Sequence, residues 1–180
     1  MGKIKLTINN RQVEAYEGKT ILEVARENGV SFRAIHLQSK EEAQNAPTPV
    51  PTLCYLKDYT GTGACRVCQV EVEGVRNLCA ACVYPVREGM VVKTNSMRAL
   101  DARRRVVELI VSNHSKDCLS CIRNTNCELQ RLCQELGVRE DAFQGAKTTP
   151  TFDEVSPGVV RNTAKCILCG RCVAACKKHQ

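Results

Sequence analysis

Cysteine placement constrains this chain more than any other feature. Thirteen cysteines occur in 180 residues, and all except Cys79 and Cys133 fall into three groups, each built around a close C-x2-C pair. Such density reads as disulfides, zinc ligands or iron–sulfur ligands, and the compartment decides among them. The first thirty residues include Glu14, Glu17 and Glu23 and lack the apolar stretch and cleavage site of a secretory signal. No run approaches the roughly 18 apolar residues of a membrane span. The chain is therefore expected in the cytoplasm, where thiols stay reduced and clustered cysteines bind metal, and no structural disulfide is expected. With no Trp, three Phe and four Tyr, its short segments bury little apolar surface, so bound metal is expected to help hold them together.

The first group is Cys54, Cys65, Cys68 and Cys82, spaced C-x10-C-x2-C-x13-C. The close pair sits on a tight loop and the outer two arrive from separate segments, so four thiolates can converge on one centre. Gly61-Thr62-Gly63-Ala64 immediately precedes Cys65. Glycine there lets backbone N–H groups approach the bridging sulfides of a [2Fe-2S] cluster. Cys79 lies close enough to Cys82 to compete for the fourth position.

The second group is His114, Cys118, Cys121 and Cys127, which places one imidazole and three thiolates within fourteen residues. Such a set holds either a [4Fe-4S] cube or a zinc ion. Zinc does not explain why the motif sits between two other multi-cysteine groups of redox type. The third group is Cys166, Cys169, Cys172 and Cys176, the ferredoxin run in which three cysteines hold one [4Fe-4S] cluster and the fourth ligates its neighbour. The sequence ends at Gln180 with no reciprocal half, and Lys177 replaces the proline usual after the fourth cysteine. Either the sequence is a piece or a partner supplies ligands. Cys79 and Cys133 read as small buried side chains beside Leu78 and Leu132.

Residues 3–8 alternate with Ile4, Leu6 and Ile8 on one face, Asn9-Asn10 turns the chain, and residues 12–15 return. Thr20 and Glu23 form a capping box for a helix whose apolar stripe of Ile21, Leu22, Val24 and Ala25 ends at Gly29. A hairpin followed by a helix suggests a β-grasp start. Residues 31–52, with Pro47, Pro49 and Pro51, read as a loop. Short strands are expected at 69–72, 76–81 and 90–93. A helix is expected at 97–113, with Leu100, Val107, Ile110 and Val111 on its apolar face and Arg103-Arg104-Arg105 mostly solvated. A shorter helix is expected at 128–136, stopped by Gly137, and a linker at 139–157.

The formal charge of +7 raises the question of nucleic acid. Each fully thiolate-ligated cluster carries about −2 when oxidised, so two or three clusters cancel most of the excess. With base-stacking aromatics scarce, no nucleic-acid partner is expected.

Pro51-Thr52-Leu53-Cys54, Gly63-Ala64-Cys65-Arg66-Val67-Cys68, Glu71-Val72-Glu73-Gly74 and Pro85-Val86-Arg87-Glu88-Gly89-Met90 together resemble the N-terminal region of multi-subunit, NAD(P)-linked [FeFe]-hydrogenases. Asn113-His114, Cys127-Glu128-Leu129-Gln130 and the stretch from Lys165 to Cys172 continue the likeness in order. The same front end is shared by the large iron–sulfur subunit of respiratory NADH dehydrogenase and by NAD-linked formate dehydrogenases. Retention of Cys176 leans away from the respiratory subunit.

The resemblance implies an α+β chain: a β-grasp [2Fe-2S] domain (1–96), a small helical domain with a histidine-ligated [4Fe-4S] cluster (97–137), a linker (138–160) and an incomplete ferredoxin-like segment (161–180). It favours Cys82 over Cys79 as the fourth [2Fe-2S] ligand. It implies an electron relay in a multi-subunit oxidoreductase, with no catalytic residue in this chain. The implied partners are a flavin/NAD(P)H-oxidising iron–sulfur subunit and a hydrogenase catalytic domain or subunit, with ferredoxin as a further candidate. Residues 31–50 look like an insertion relative to that family.

Overall fold

A computed structural model describes residues 2–28, 50–59, 61–139 and 143–180. Gly29 and residues 31–49 of the expected loop lie outside the described residues. The chain forms two compact units, Met1–Arg103 with Gly170–Gln180, and Arg104–Cys169.

The first unit is a mixed five-stranded sheet with one helix against it. Strands β1 (Lys3–Ile8) and β2 (Arg11–Tyr16) pair antiparallel with Ile4 opposite Ala15 and Leu6 opposite Val13. Their buried residues alternate as the sequence pattern requires. Asn9 and Asn10 take φ values of 48° and 64° in the turn, the left-handed pair that a tight hairpin needs and asparagine tolerates. Asn9 also ties the turn to a residue distant in sequence: its Oδ1 accepts from Thr94 N at 2.8 Å and its Nδ2 donates to Thr94 Oγ1 at 2.6 Å.

The remaining strands are β3 (Gln69–Val72), β4 (Cys79–Ala80) and β5 (Val91–Lys93), giving the order β2-β1-β5-β3-β4. Only the β1–β5 pairing is parallel; β5 pairs antiparallel with β3, and β3 with β4. The strand expected over 76–81 contracts to its last part, because residues 76–78 form a bend and an irregular stretch before Cys79.

Helix α1 (Ile21–Glu27) starts at Thr20 with a complete capping box, and Ile21, Leu22, Val24 and Ala25 enter the core. There they meet Leu6, Val70, Val72 and Val92. Burying each such side chain contributes about 1.5–3 kcal/mol before entropy is counted. The amides of Ile21 and Leu22 donate to the carbonyls of Tyr84 and Ala81, so the helix start clamps the turn that carries Cys82.

Helix α2 (Met97–Ser112) opens with Ser96 Oγ accepting from Ala99 N. Arg103 corrects the expectation of a solvated arginine run: it is 1% exposed, and only Arg104 and Arg105 face water. The spacing explains this, since Ala99, Arg103 and Val107 recur every fourth residue on one helix face, and all three are buried.

The second unit has a much thinner core. Among its described residues, the buried apolar side chains are Val107, Leu129 and Leu132. Glu108 is also buried, between Arg104 at 3.0 Å and Arg105 at 3.1 Å. Helix α3 (Glu128–Glu135) matches the expected second helix, with Gly137 at φ 60° just beyond it.

The expected linker contains structure: β6 (Phe152–Ser156) and β7 (Val159–Asn162) form a hairpin. Pro157-Gly158 is its turn, a signal hidden among neighbouring Thr and Pro residues. Helix α4 (Arg171–His179) belongs to the first unit. Its Lys178 Nζ donates to the Asp58 carbonyl at 2.6 Å, and its His179 Nε2 lies 3.0 Å from the Tyr59 hydroxyl.

Candidate metal centres

Three segments of the first unit bring the four cysteines of the first group together. Cys54 arrives behind buried Leu53, Cys65 and Cys68 sit on the loop entering β3, and Cys82 sits on the turn after β4. The Sγ atoms of Cys68 and Cys82 are 3.3 Å apart. The thiol of Cys65, and then that of Cys82, bond to Cys54 and hold it far below the ordinary thiol range. The same bonds push Cys65 and Cys82 far above it. Cys68, bonded first by Cys82, is lowered to about 7.

Backbone N–H groups also aim at the sulfurs: Cys65 toward Cys54, Val67 and Leu53 toward Cys65, and Cys82 toward Cys68. The Thr62 side chain also bonds Cys54. Glycine at 61 answers a steric need as well. A Cβ there would lie 2.8 Å from the Cys82 carbonyl oxygen, so the loop can pass over the Cys82 turn only without a side chain. Arg66, between Cys65 and Cys68, takes a left-handed φ of 57°, local strain of the kind concentrated at ligand-binding loops.

Cys54, Cys68 and Cys82 are buried. Four linked thiols, three of them buried and Cys65 half-buried, with N–H donors around them, suit a [2Fe-2S] cluster, whose excess negative charge resides on sulfur. Cys79 is buried too, but its thiol points to the Asn77 carbonyl at 3.7 Å and bonds none of the other cysteines.

In the second unit, His114, Cys118, Cys121 and Cys127 line one cavity of about 630 Å³. His114 follows α2, a 3-10 turn carries Cys118, and Cys127 is the residue from which α3 starts. No side-chain hydrogen bond caps the start of α3 at Cys127. The His114 Nδ1 is buried with no hydrogen-bond partner among the described residues. Burial, followed by the positive charge of Lys165, lowers its pKa and keeps the ring neutral. One imidazole and three thiols along one cavity are a donor set that a [4Fe-4S] cluster can use.

Two residues that ligand spacing does not single out also line this cavity, Cys133 and Lys165. Their signals are faint: Cys133 lies on α3 beside buried Leu132, and Lys165 is the residue before the third group. Of that group, Cys166 and Cys169 belong to the second unit, flanking Leu168 at φ 53°, while Cys172 and Cys176 lie one turn apart on α4 in the first.

Residues 2–97 match the model of the 2Fe-2S iron–sulfur cluster binding domain, and the chain belongs to that family. Residues 103–142 match the NADH-ubiquinone oxidoreductase-G iron–sulfur binding region, and 159–179 match a 4Fe-4S binding domain. The chain is thus a multi-cluster iron–sulfur protein.

Among its relatives is HndD, a subunit of the NADP-reducing hydrogenase of Solidesulfovibrio fructosivorans, 38% identical over all of this chain and 28% of its own length. The gamma subunit of the NAD-reducing hydrogenase HoxS of Cupriavidus necator is 33% identical, over 94% of this chain and 64% of its own. The G 2 subunit of NADH-quinone oxidoreductase from Rhizobium meliloti is 32% identical, over 97% and 19%. The chain therefore spans between about a fifth and two thirds of these relatives. In fold it matches a chain in the crystal structure of an NAD+-reducing [NiFe]-hydrogenase in the H2-reduced state, with TM-score 0.80, 24% identity, and coverage of 97% of this chain and 66% of that one.

Proposed function

We propose that this chain is the electron-relay part of an NAD(P)-linked hydrogenase, passing single electrons between a flavin/NAD(P)H subunit and a hydrogen-activating site located elsewhere. The observation that carries the proposal is the presence, in one chain similar to hydrogenase subunits over nearly its whole length, of two separate and differently built cysteine sites. Iron–sulfur clusters, when bound, take up and release one electron at a time with little change of geometry.

In this reading Cys54, Cys65, Cys68 and Cys82 hold the [2Fe-2S] cluster within a β-grasp domain of residues 1–96. Their mutual contact, and the N–H donors around them, support that ligand set. His114, Cys118, Cys121 and Cys127 hold a [4Fe-4S] cluster in a helical domain of 97–137, supported by the shared cavity and the unpartnered Nδ1. Residues 138–160 lead to a ferredoxin-like segment of 161–180. There Cys166, Cys169 and Cys172 hold a further cluster whose fourth ligand lies outside this segment, and Cys176 serves its neighbour.

The residues do three things in the relay. The buried sheet excludes water from the first site, the N–H donors stabilise negative charge on its sulfurs, and neutral His114 lowers the negative charge at the second relative to an all-cysteine set. Among the described residues no helix is long and apolar enough to cross a membrane, and the reduced thiols the chain needs favour the cytoplasm. An [FeFe] catalyst is the expected partner, from the motifs running from Pro51 to Cys172. A second reading, a separate relay subunit of another NAD-reducing hydrogenase, is favoured by the 64% coverage of the HoxS gamma relative.

The test is anaerobic isolation of the native complex through this chain, with dye reduction assayed using hydrogen, formate and NADH in parallel and with metal content determined. Hydrogen-dependent activity without nickel supports the [FeFe] assignment, and the same activity with stoichiometric nickel moves the chain to the second reading. Formate-dependent activity without hydrogen uptake sinks both.

A further inference from the structure

Arg103 is a charged side chain taken out of water without a carboxylate bonded to it among the described residues. It is 1% exposed, and among those residues its hydrogen-bond partner is the Gln69 carbonyl, reached by Nε at 3.1 Å and Nη2 at 2.8 Å. Two donors on one oxygen fix the plane and position of the guanidinium. An isolated buried cation is expensive, and folds tolerate one when an opposite charge lies nearby.

The fold says where that opposite charge is. Gln69 directly follows Cys68 and begins β3, so the bond to its carbonyl ties the guanidinium to the residue next to Cys68, whose negative charge favours the cationic form of the arginine. Burial lowers the Arg103 pKa to about 10, so the group remains cationic at neutral pH. Its neighbours Arg104 and Arg105 instead pair with Glu108, whereas Arg103 bonds the residue that follows Cys68.

We infer that Arg103 is the built-in counter-charge of the [2Fe-2S] site and sets its reduction potential, raising it by favouring the reduced form. The inference rests on the assignment of Cys68 as a ligand. Adding one electron takes two irons, two sulfides and four thiolates from about −2 to about −3. A cation held at the residue next to Cys68 and buried away from solvent stabilises the more negative state most. Nothing need be protonated or moved, because the charge is already in place.

The test is an EPR-monitored redox titration of the [2Fe-2S] signal in the full chain, with iron and sulfide analysis, for wild type, R103M and R103K. R103M is expected to lower the equilibrium constant for one-electron reduction at least about tenfold, a fall of about 59 mV or more, while R103K stays within about threefold of wild type. A tie to β3 that served only packing would cost both variants stability and leave the potential unmoved. R103M with a full signal at the wild-type potential overturns the inference. If R103M does not retain its cluster, the neutral but polar R103Q takes its place: a fall of about tenfold or more supports the charge role, and a wild-type potential overturns it. C68A separates the underlying assignment from the inference, because a full [2Fe-2S] signal with unchanged spectrum in that variant, which offers iron no donor, removes Cys68 as a ligand whatever the arginine variants do.

Discussion

The two metal centres are built on opposite plans. The first is set into a finished fold: sheet and helix share a continuous apolar core that includes Cys68 and Cys82 themselves. The second is a cavity wrapped by turns, with three buried apolar side chains in its unit among the described residues, and the residues between its cysteines stand in solvent, Leu119 at 93% and Ile122 at 97% exposure. The first unit can position its ligands before metal arrives. The second has too little buried surface to do so, and metal ligation has to supply the missing stability.

Stripping iron under reducing conditions should separate the two plans most sharply. Amide exchange over 114–127 and α3 is expected to rise to that of an unfolded chain, while β1, β3 and β5 remain protected. Simultaneous loss of protection in both units would break the comparison. Next in size, Leu22→Ala should cost about 2–5 kcal/mol in denaturant unfolding of the first unit. The absorption of the histidine-containing site is expected to be unchanged.

Glycine substitutions sharpen the contrast further. Gly61→Ala forces a methyl group against the Cys82 carbonyl and is expected to cost about 1–3 kcal/mol, with a fall in [2Fe-2S] absorbance on reconstitution. Gly137→Ala meets open space and only a φ of 60°, so about 1 kcal/mol and an intact second site are expected. The smallest effect is Thr20→Ala, which removes the capping box and should lower first-unit stability by about 1 kcal/mol, read as a shift in denaturation midpoint.

Much of this is legible from residue types and spacing. Ile4, Leu6 and Ile8 alternate, Asn9-Asn10 can adopt left-handed turns, and Thr20 with Glu23 caps a helix; each is a local rule that the fold obeys. Cysteine groups are legible for the same reason, since ligand spacing is local in two groups out of three. What spacing does not reveal is non-local. Arg103 reads as part of a basic run because its charge outweighs its place between Ala99 and Val107, and only the bond to the distant Gln69 carbonyl explains its burial. Cys133 joins a cavity shared with His114 and Lys165, residues whose spacing from it follows no ligand motif. Linker-like composition hides the β6–β7 hairpin, and α4 is hidden because its cysteines read first as ligands.

Strand β5 has only three residues, yet it is the middle of the sheet, standing between β1 and β3. Until it is in place, no strand pairing among the described residues joins the β1–β2 pair to the β3–β4 pair. During synthesis the chain therefore exposes all four cysteines of its first site before the strand that unites their supports has left the ribosome. Loading of that site is expected to follow completion of residue 93, whereas the ligands proposed for the second site all lie in the short run from His114 to Cys127. A stalled chain ending just before Val91 is accordingly the species most exposed to oxidation, with every thiol of the first site made and no closed sheet to shelter them.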